Sequence, residues 1–93
     1  MPGYDRAELT AELRIAALRG AGSPPREQVE AAKRVASDSG LAREAGPETT
    51  VLAGGREEVL DAVRRVVEAA LDAGAHAVEV KVEAEGEAER FGG

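Results

Sequence analysis

Residues 40–55 read Gly-Leu-Ala-Arg-Glu-Ala-Gly-Pro-Glu-Thr-Thr-Val-Leu-Ala-Gly-Gly. A glycine opens the stretch, a Gly-Pro pair sits in its middle, and a glycine pair closes it. Pro47 has no N–H to give to a sheet ladder, so it belongs in a turn and not in a central strand. The β-branched run Thr49-Thr50-Val51 favours a pleated strand. The spacing therefore predicts a strand over 42–45, a turn at 46–48 and a second strand over 49–53. This hairpin lies between two longer segments of helical period.

Upstream, Val29, Ala32, Val35 and Ala36 form an apolar stripe for a helix over 24–39, with Arg26, Glu27, Glu30, Lys33 and Arg34 on its outer side. Ser23 is the expected N-cap and Pro24 the first helical residue. Gly40 is the expected left-handed C-cap, with Leu41 folding back onto the last turn. Downstream, Glu57 and Glu58 suit the positive end of a second helix. Val59, Leu60, Val63, Val66, Val67, Ala70 and Leu71 make its apolar stripe, and Gly74 closes it.

The outermost segments have a period of two. From Glu8, the residues Leu9, Ala11, Leu13, Ile15 and Ala17 alternate with Glu12, Arg14 and other polar or small residues, which predicts a strand with one buried face. His76, Val78, Val80 and Val82 alternate with Ala77, Glu79, Lys81 and Glu83 in a last strand. Residues 1–6 read as a flexible lead-in and 91–93 as a frayed end. The acidic alternation from Glu83 to Glu89 reads as a solvated charge run.

The order strand-helix-strand-strand-helix-strand predicts an α+β ferredoxin-like βαββαβ sandwich, a single domain over 1–93 with an ordered core at about 8–84. Right-handed crossovers put both helices on one face of a four-stranded antiparallel sheet. The first and third strands are expected in the centre, the fourth beside the first and the second beside the third. The other sheet face is left open.

Composition limits the core. The 93 residues include one Tyr, one Phe, one Met and no Trp, and alanine supplies much of the apolar count. Burial stabilises by ~25 cal/mol per Å² of apolar area, and alanine contributes little area. A thin core and an open sheet face point to self-association, as a homodimer or homotetramer through sheet faces or edges.

The formal net charge of −6 argues against nucleic acid and anionic membranes as partners. A ferredoxin-like sheet that bound RNA would use aromatic residues on its open face, and these strands have none. There is no cysteine, so thiol chemistry and disulfides are excluded. No apolar run reaches the ~20 residues that span a bilayer, and the first residues lack a signal-peptide pattern. A cytoplasmic location is expected.

No catalytic group emerges. Ser23, Ser37 and Ser39 lie at the ends of the first helix, where capping explains them. His76 is the only histidine, and no third group completes a triad with it. One His and no Cys exclude the common zinc sets. An acylphosphatase-type site needs an Asn, which the chain lacks. The Gly20-Ala21-Gly22-Ser23 loop suits a turn and cap better than an anion cradle. A non-enzymatic protein without a metal or a resident cofactor is expected.

The segment Ser-Gly-Leu-Ala-Arg-Glu-Ala-Gly-Pro-Glu-Thr-Thr-Val-Leu-Ala-Gly-Gly-Arg-Glu-Glu-Val, residues 39–59, resembles the central signature of the thiamine-binding, YkoF-like protein family. Members often show G-L-x-Y-x-x-G-P-x-x-T-x-x-E-G, then a helix, then a G-A-x-x-V-x strand. Gly40, Leu41, Gly46, Pro47, Thr50 and Gly54 match at the same spacing, and Gly74-Ala75 matches the later element. The likeness extends over roughly Glu8 to Glu83.

The resemblance implies dimers or tetramers and binding, without catalysis, of thiamine or its hydroxymethylpyrimidine part. It assigns Thr50 a hydrogen bond to the ring. Arg43 stands at the family's aromatic before the turn, Ala53 at its acidic residue, and Arg56 at the aromatic that opens the second helix. An aminopyrimidine wants a flat surface and a cationic thiazolium wants a carboxylate. On this reading Glu12 or Glu79 supplies the carboxylate from the open face and Arg43 stacks in place of the aromatic. The alternative is an oligomeric structural or regulatory module that kept the fold and lost the pocket.

Overall fold

The computed structural model describes residues 7–17 and 22–84. The glycine-rich loop at 20–21, the lead-in at 1–6, the acidic residues from 85 onward and the end at 91–93 lie outside the described residues. Four strands and two helices follow in the order β1 (Leu9–Ala16), α1 (Arg26–Ser39), β2 (Ala42–Arg43), β3 (Thr49–Gly54), α2 (Arg56–Asp72) and β4 (Ala77–Ala84). The sheet is antiparallel with strand order β2-β3-β1-β4. This is the ferredoxin-like arrangement, with β1 and β3 central.

The register fixes the faces. Ala11 pairs with Leu52 and Val82, and Leu13 with Thr50 and Val80, on the side that carries the helices. Ala11, Leu13, Ile15 and Leu52 are buried there beneath Ala32 and Ala36 of α1 and Val59, Ala62, Val66 and Ala70 of α2. Among the described residues, only Leu52, Val59 and Val66 are large and fully buried. The alternation of β1 made this face legible, and alanine lets the two helices pack beside each other on it. α1 lies over β3 and β2, and α2 over β1, β3 and β4.

Two element boundaries and the place of one side chain differ from the sequence reading. α1 starts at Arg26 with Pro25 as N-cap and no side-chain cap, not at Pro24 behind Ser23. Pro24 precedes another proline, whose ring drives the residue before it out of helical geometry. β2 keeps only Ala42 and Arg43 of the expected four residues, because the chain turns away before Gly46. Lys33, expected on the outer side of α1, is half-buried and donates from Nζ to the carbonyls of Gly46 (3.2 Å) and Thr49. It ties the helix to the hairpin turn.

The glycines of the hairpin serve two separate ends. Gly40 caps α1 at φ 79°, in left-handed geometry that favours glycine, and its N–H bonds Ser37 O at 3.1 Å. Gly54 lies inside β3 rather than in a turn. A Cβ there would sit 3.0 Å from Leu41 Cδ2, so its bare backbone makes room for the leucine that follows the helix cap. Leu41 O in turn accepts from Ala53 N at 3.0 Å.

α2 begins at N-cap Gly55. Glu8, just ahead of β1, accepts the Arg56 N–H at 2.7 Å, so a carboxylate from outside the helix meets one of its orphan donors. The helix ends with Gly74 N bonded to Leu71 O and Ala75 N to Ala70 O, both at 2.9 Å. Gln28 of α1 is buried near this end, its Nε2 3.5 Å from where a Gly74 Cβ would stand. No helix among the described residues is long and apolar enough to cross a membrane.

Candidate functional site

The side of the sheet away from the helices presents its residues in rows. Arg43 pairs with Val51, Val51 with Glu12, and Glu12 with Lys81, so one row crosses all four strands. The next row holds Thr49, Arg14 and Glu79. Adjacent strands lie about 4.8 Å apart, which puts the Arg43 and Glu12 backbones roughly 10 Å apart, within reach of an extended arginine. Glu12 and Glu79 are diagonal neighbours across the β1–β4 pair.

Charges on this face are partly spent on each other. Arg14 donates to Glu79 Oε1 at 3.1 Å. Lys81 Nζ lies 3.6 Å from Glu83 Oε2 rather than on Glu12, the residue opposite it. Among the described residues, Glu12 forms no ion pair. Arg43 turns its Nη1 back to the carbonyls of Leu41 and Ala42, each at 3.2 Å. A shallow depression of about 230 Å³ is lined by Glu12, Arg14, Glu79, Val80 and Lys81.

Three of the four residues singled out from the sequence, Glu12, Arg43 and Glu79, thus share the open face. Thr50 does not. It stands opposite Leu13 on the helix side and is only 6% exposed. A period of two puts Thr50 and its neighbour Val51 on opposite faces, so Thr50 and Glu12 cannot touch one small ligand directly. Arg14 and Lys81 also line the depression and were not singled out. Their signal was the same alternation that placed Glu12 and Glu79.

A larger hollow of about 560 Å³ lies at the start of α2, lined by Glu8, Gly55, Arg56, Glu57, Glu58 and Asp61. Its carboxylates already answer the positive helix end, and Glu8 is engaged as a cap. That accounts for the cluster without a ligand. A third hollow, of about 350 Å³, separates the C-terminal end of α1 from α2 and is lined by Ser39, Leu41, Glu58, Asp61, Ala62 and Arg65.

The chain is thus a ferredoxin-like domain with helices on one side of its sheet and a charged open face with a shallow depression on the other. The family model described as thiamine-binding protein matches residues 11–90, and the chain belongs to that family. It is also similar to a solved structure, a domain of unknown function DUF77 from Bacillus cereus. The two share 27% identity with a TM-score of 0.58, over 85% of this chain and 75% of that one. No curated protein matches the sequence.

Proposed function

We propose that this chain is a non-enzymatic, cytoplasmic binding protein for thiamine or its hydroxymethylpyrimidine part, and that it works as a homo-oligomer. Family membership supports the ligand class. The observation that carries the site is Glu12, a carboxylate on the open face whose neighbours Arg14 and Lys81 are both paired elsewhere. A cationic thiazolium gains from a carboxylate that is already unpaired. The guanidinium plane of Arg43, in the same row, offers the flat surface that an aminopyrimidine stacks on. Glu79 supplies a second acceptor. The depression is open, so a second subunit over this face would supply the missing wall.

A second reading has its own observation. Thr50 carries a buried hydroxyl for which no hydrogen-bond partner appears among the described residues, and such groups call for an explanation. A ligand entering between sheet and helices would find that hydroxyl and the hairpin held by Lys33.

Titration calorimetry with thiamine and with hydroxymethylpyrimidine separates the readings. On the open-face reading, Glu12→Gln weakens thiamine binding by tenfold or more and Thr50→Val leaves it unchanged. The reverse pattern places the ligand on the helix side. Absence of heat and of a thermal shift at millimolar ligand overturns both, and leaves a module that retains the fold without the pocket.

A further inference from the structure

The row that crosses the open face has a direction. From one edge of the sheet to the other it reads Arg43 on β2, Val51 on β3, Glu12 on β1 and Lys81 on β4. Three strand spacings, roughly 14 Å, separate its ends. A planar cation, a half-buried apolar side chain, a carboxylate and an ammonium thus follow one another in line. Free thiamine on this face would occupy Arg43 and Glu12 and leave Lys81 unused.

Lys81 stands directly opposite Glu12, a position from which unlike charges ordinarily pair. It lies instead 3.6 Å from Glu83 Oε2, two residues along its own strand, and both side chains are largely exposed. Such a surface pair contributes little, so a stronger anion can take over the ammonium. Glu79, the carboxylate on the other side of Lys81, is already held by Arg14 at 3.1 Å. Arg14 lies diagonally across the β1–β4 pair from Lys81 and adds positive charge there. The depression between these side chains therefore has a negative pole at Glu12 and a positive pole at Lys81, one strand spacing apart. A ligand with only a cation uses one pole. A ligand with a cation and an anion joined by a short arm uses both.

We propose that Lys81 is an anion subsite on this face, and that it selects the phosphate ester of thiamine over the free alcohol. The inference rests on the open-face reading of the proposed function. In thiamine a methylene joins the aminopyrimidine to the thiazolium, and a two-carbon arm across the thiazolium ring ends in the hydroxyl. With the pyrimidine over Arg43 and Val51 and the thiazolium at Glu12, that arm points to Lys81. A phosphate monoester there carries about −1.5 to −2 charge and three strong acceptor oxygens. The alcohol offers one neutral oxygen. Lys81 then exchanges Glu83 for the phosphate, and the Glu83 side chain turns to solvent. The order of groups along the row also excludes a close relative. In hydroxymethylpyrimidine phosphate the phosphate takes the place of the thiazolium and falls on Glu12, like charge against like.

Titration calorimetry on the full chain with thiamine, thiamine monophosphate, hydroxymethylpyrimidine and hydroxymethylpyrimidine phosphate tests the subsite. Thiamine monophosphate should bind about tenfold tighter than thiamine, the size of one added charge-assisted hydrogen bond at an exposed position. Hydroxymethylpyrimidine phosphate should bind more weakly than hydroxymethylpyrimidine. Lys81→Met keeps the aliphatic stem, removes the ammonium and should erase the preference for the monophosphate. Glu83→Gln removes the carboxylate that competes for Lys81 and should widen it. Circular dichroism checks that both variants are folded. Thiamine that binds with no gain from its phosphate overturns the subsite and leaves the proposed function standing. So does a gain that survives in Lys81→Met, or a hydroxymethylpyrimidine phosphate that binds as tightly as thiamine monophosphate. Failure of thiamine and its monophosphate alike overturns the proposed function, and the subsite with it.

Discussion

Thr50 stands directly opposite Leu13 in the β1–β3 ladder, so the hydroxyl that matches the family signature belongs to the core layer of this chain. Its burial without a visible partner makes the group costly in the unliganded protein. Replacing an unsatisfied buried polar group by an apolar one of the same shape is neutral or stabilising. Thr50→Val is expected to raise stability by about 1 kcal/mol or leave it unchanged. Urea unfolding checks this, and a clear loss of stability would reveal a hydrogen bond that the hydroxyl makes after all.

Gly54 leaves room for the Leu41 side chain at the helix-side edge of the hairpin. Gly54→Ala introduces a methyl 3.0 Å from Leu41 Cδ2, in a site walled on another side by Val59. The leucine has to move, at an expected cost of about 1–3 kcal/mol. Trimming the neighbour should relieve it. In a double-mutant cycle Leu41→Val is expected to offset part of the Gly54→Ala loss, and strict additivity would show that the two do not meet.

Lys33 holds the hairpin through two backbone carbonyls, those of Gly46 and Thr49. The turn's own bond, Thr49 N to Gly46 O, is long at 3.3 Å, and β2 contributes only two residues. Lys33→Met keeps the aliphatic stem and removes the donor. The expected global loss is about 1 kcal/mol, the usual net value of a hydrogen bond, since the site is partly exposed. The local effect should be larger. Amide exchange ought to accelerate at residues 46–50 while the β1–β4 ladder keeps its protection.

These residues show which parts of the architecture were legible in the sequence. The alternation in β1 and β4 and the 3.6-residue stripes in α1 and α2 are long enough to declare both their type and their buried side. Topology then followed from element order. Glu12 and Glu79 were placed on the open face by the same alternation. Thr50 was singled out through the family signature, and a signature gives spacing without giving the face. Its side depended on the β1–β3 register, which links residues some forty positions apart in the chain. Lys33 escaped for a different reason. A lysine among charged neighbours on a helix reads as solvated, and only the path of the turn brings carbonyls within its reach. The start of α1 was misread, because Pro24 precedes a second proline that keeps it out of helical geometry, and the helix begins only at Arg26, behind Pro25 as N-cap.

Leu52 bears most directly on how thin the core is. It is fully buried at the centre of β3, opposite Ala11, and among the described residues only Val59 and Val66 join it as large fully buried side chains. Where alanine fills most remaining positions, neighbours are short and cannot extend into a cavity, so relaxation recovers little of the loss. Leu52→Ala is expected to cost toward the upper part of the 2–5 kcal/mol range for such truncations. A domain of this length has only about 5–14 kcal/mol in all, at 0.05–0.15 kcal/mol per residue. If subunit association supplies part of that stability, the variant's midpoint in urea should rise with protein concentration. A midpoint that is low and independent of concentration would mean that the isolated core, alanine-rich as it is, carries the fold alone.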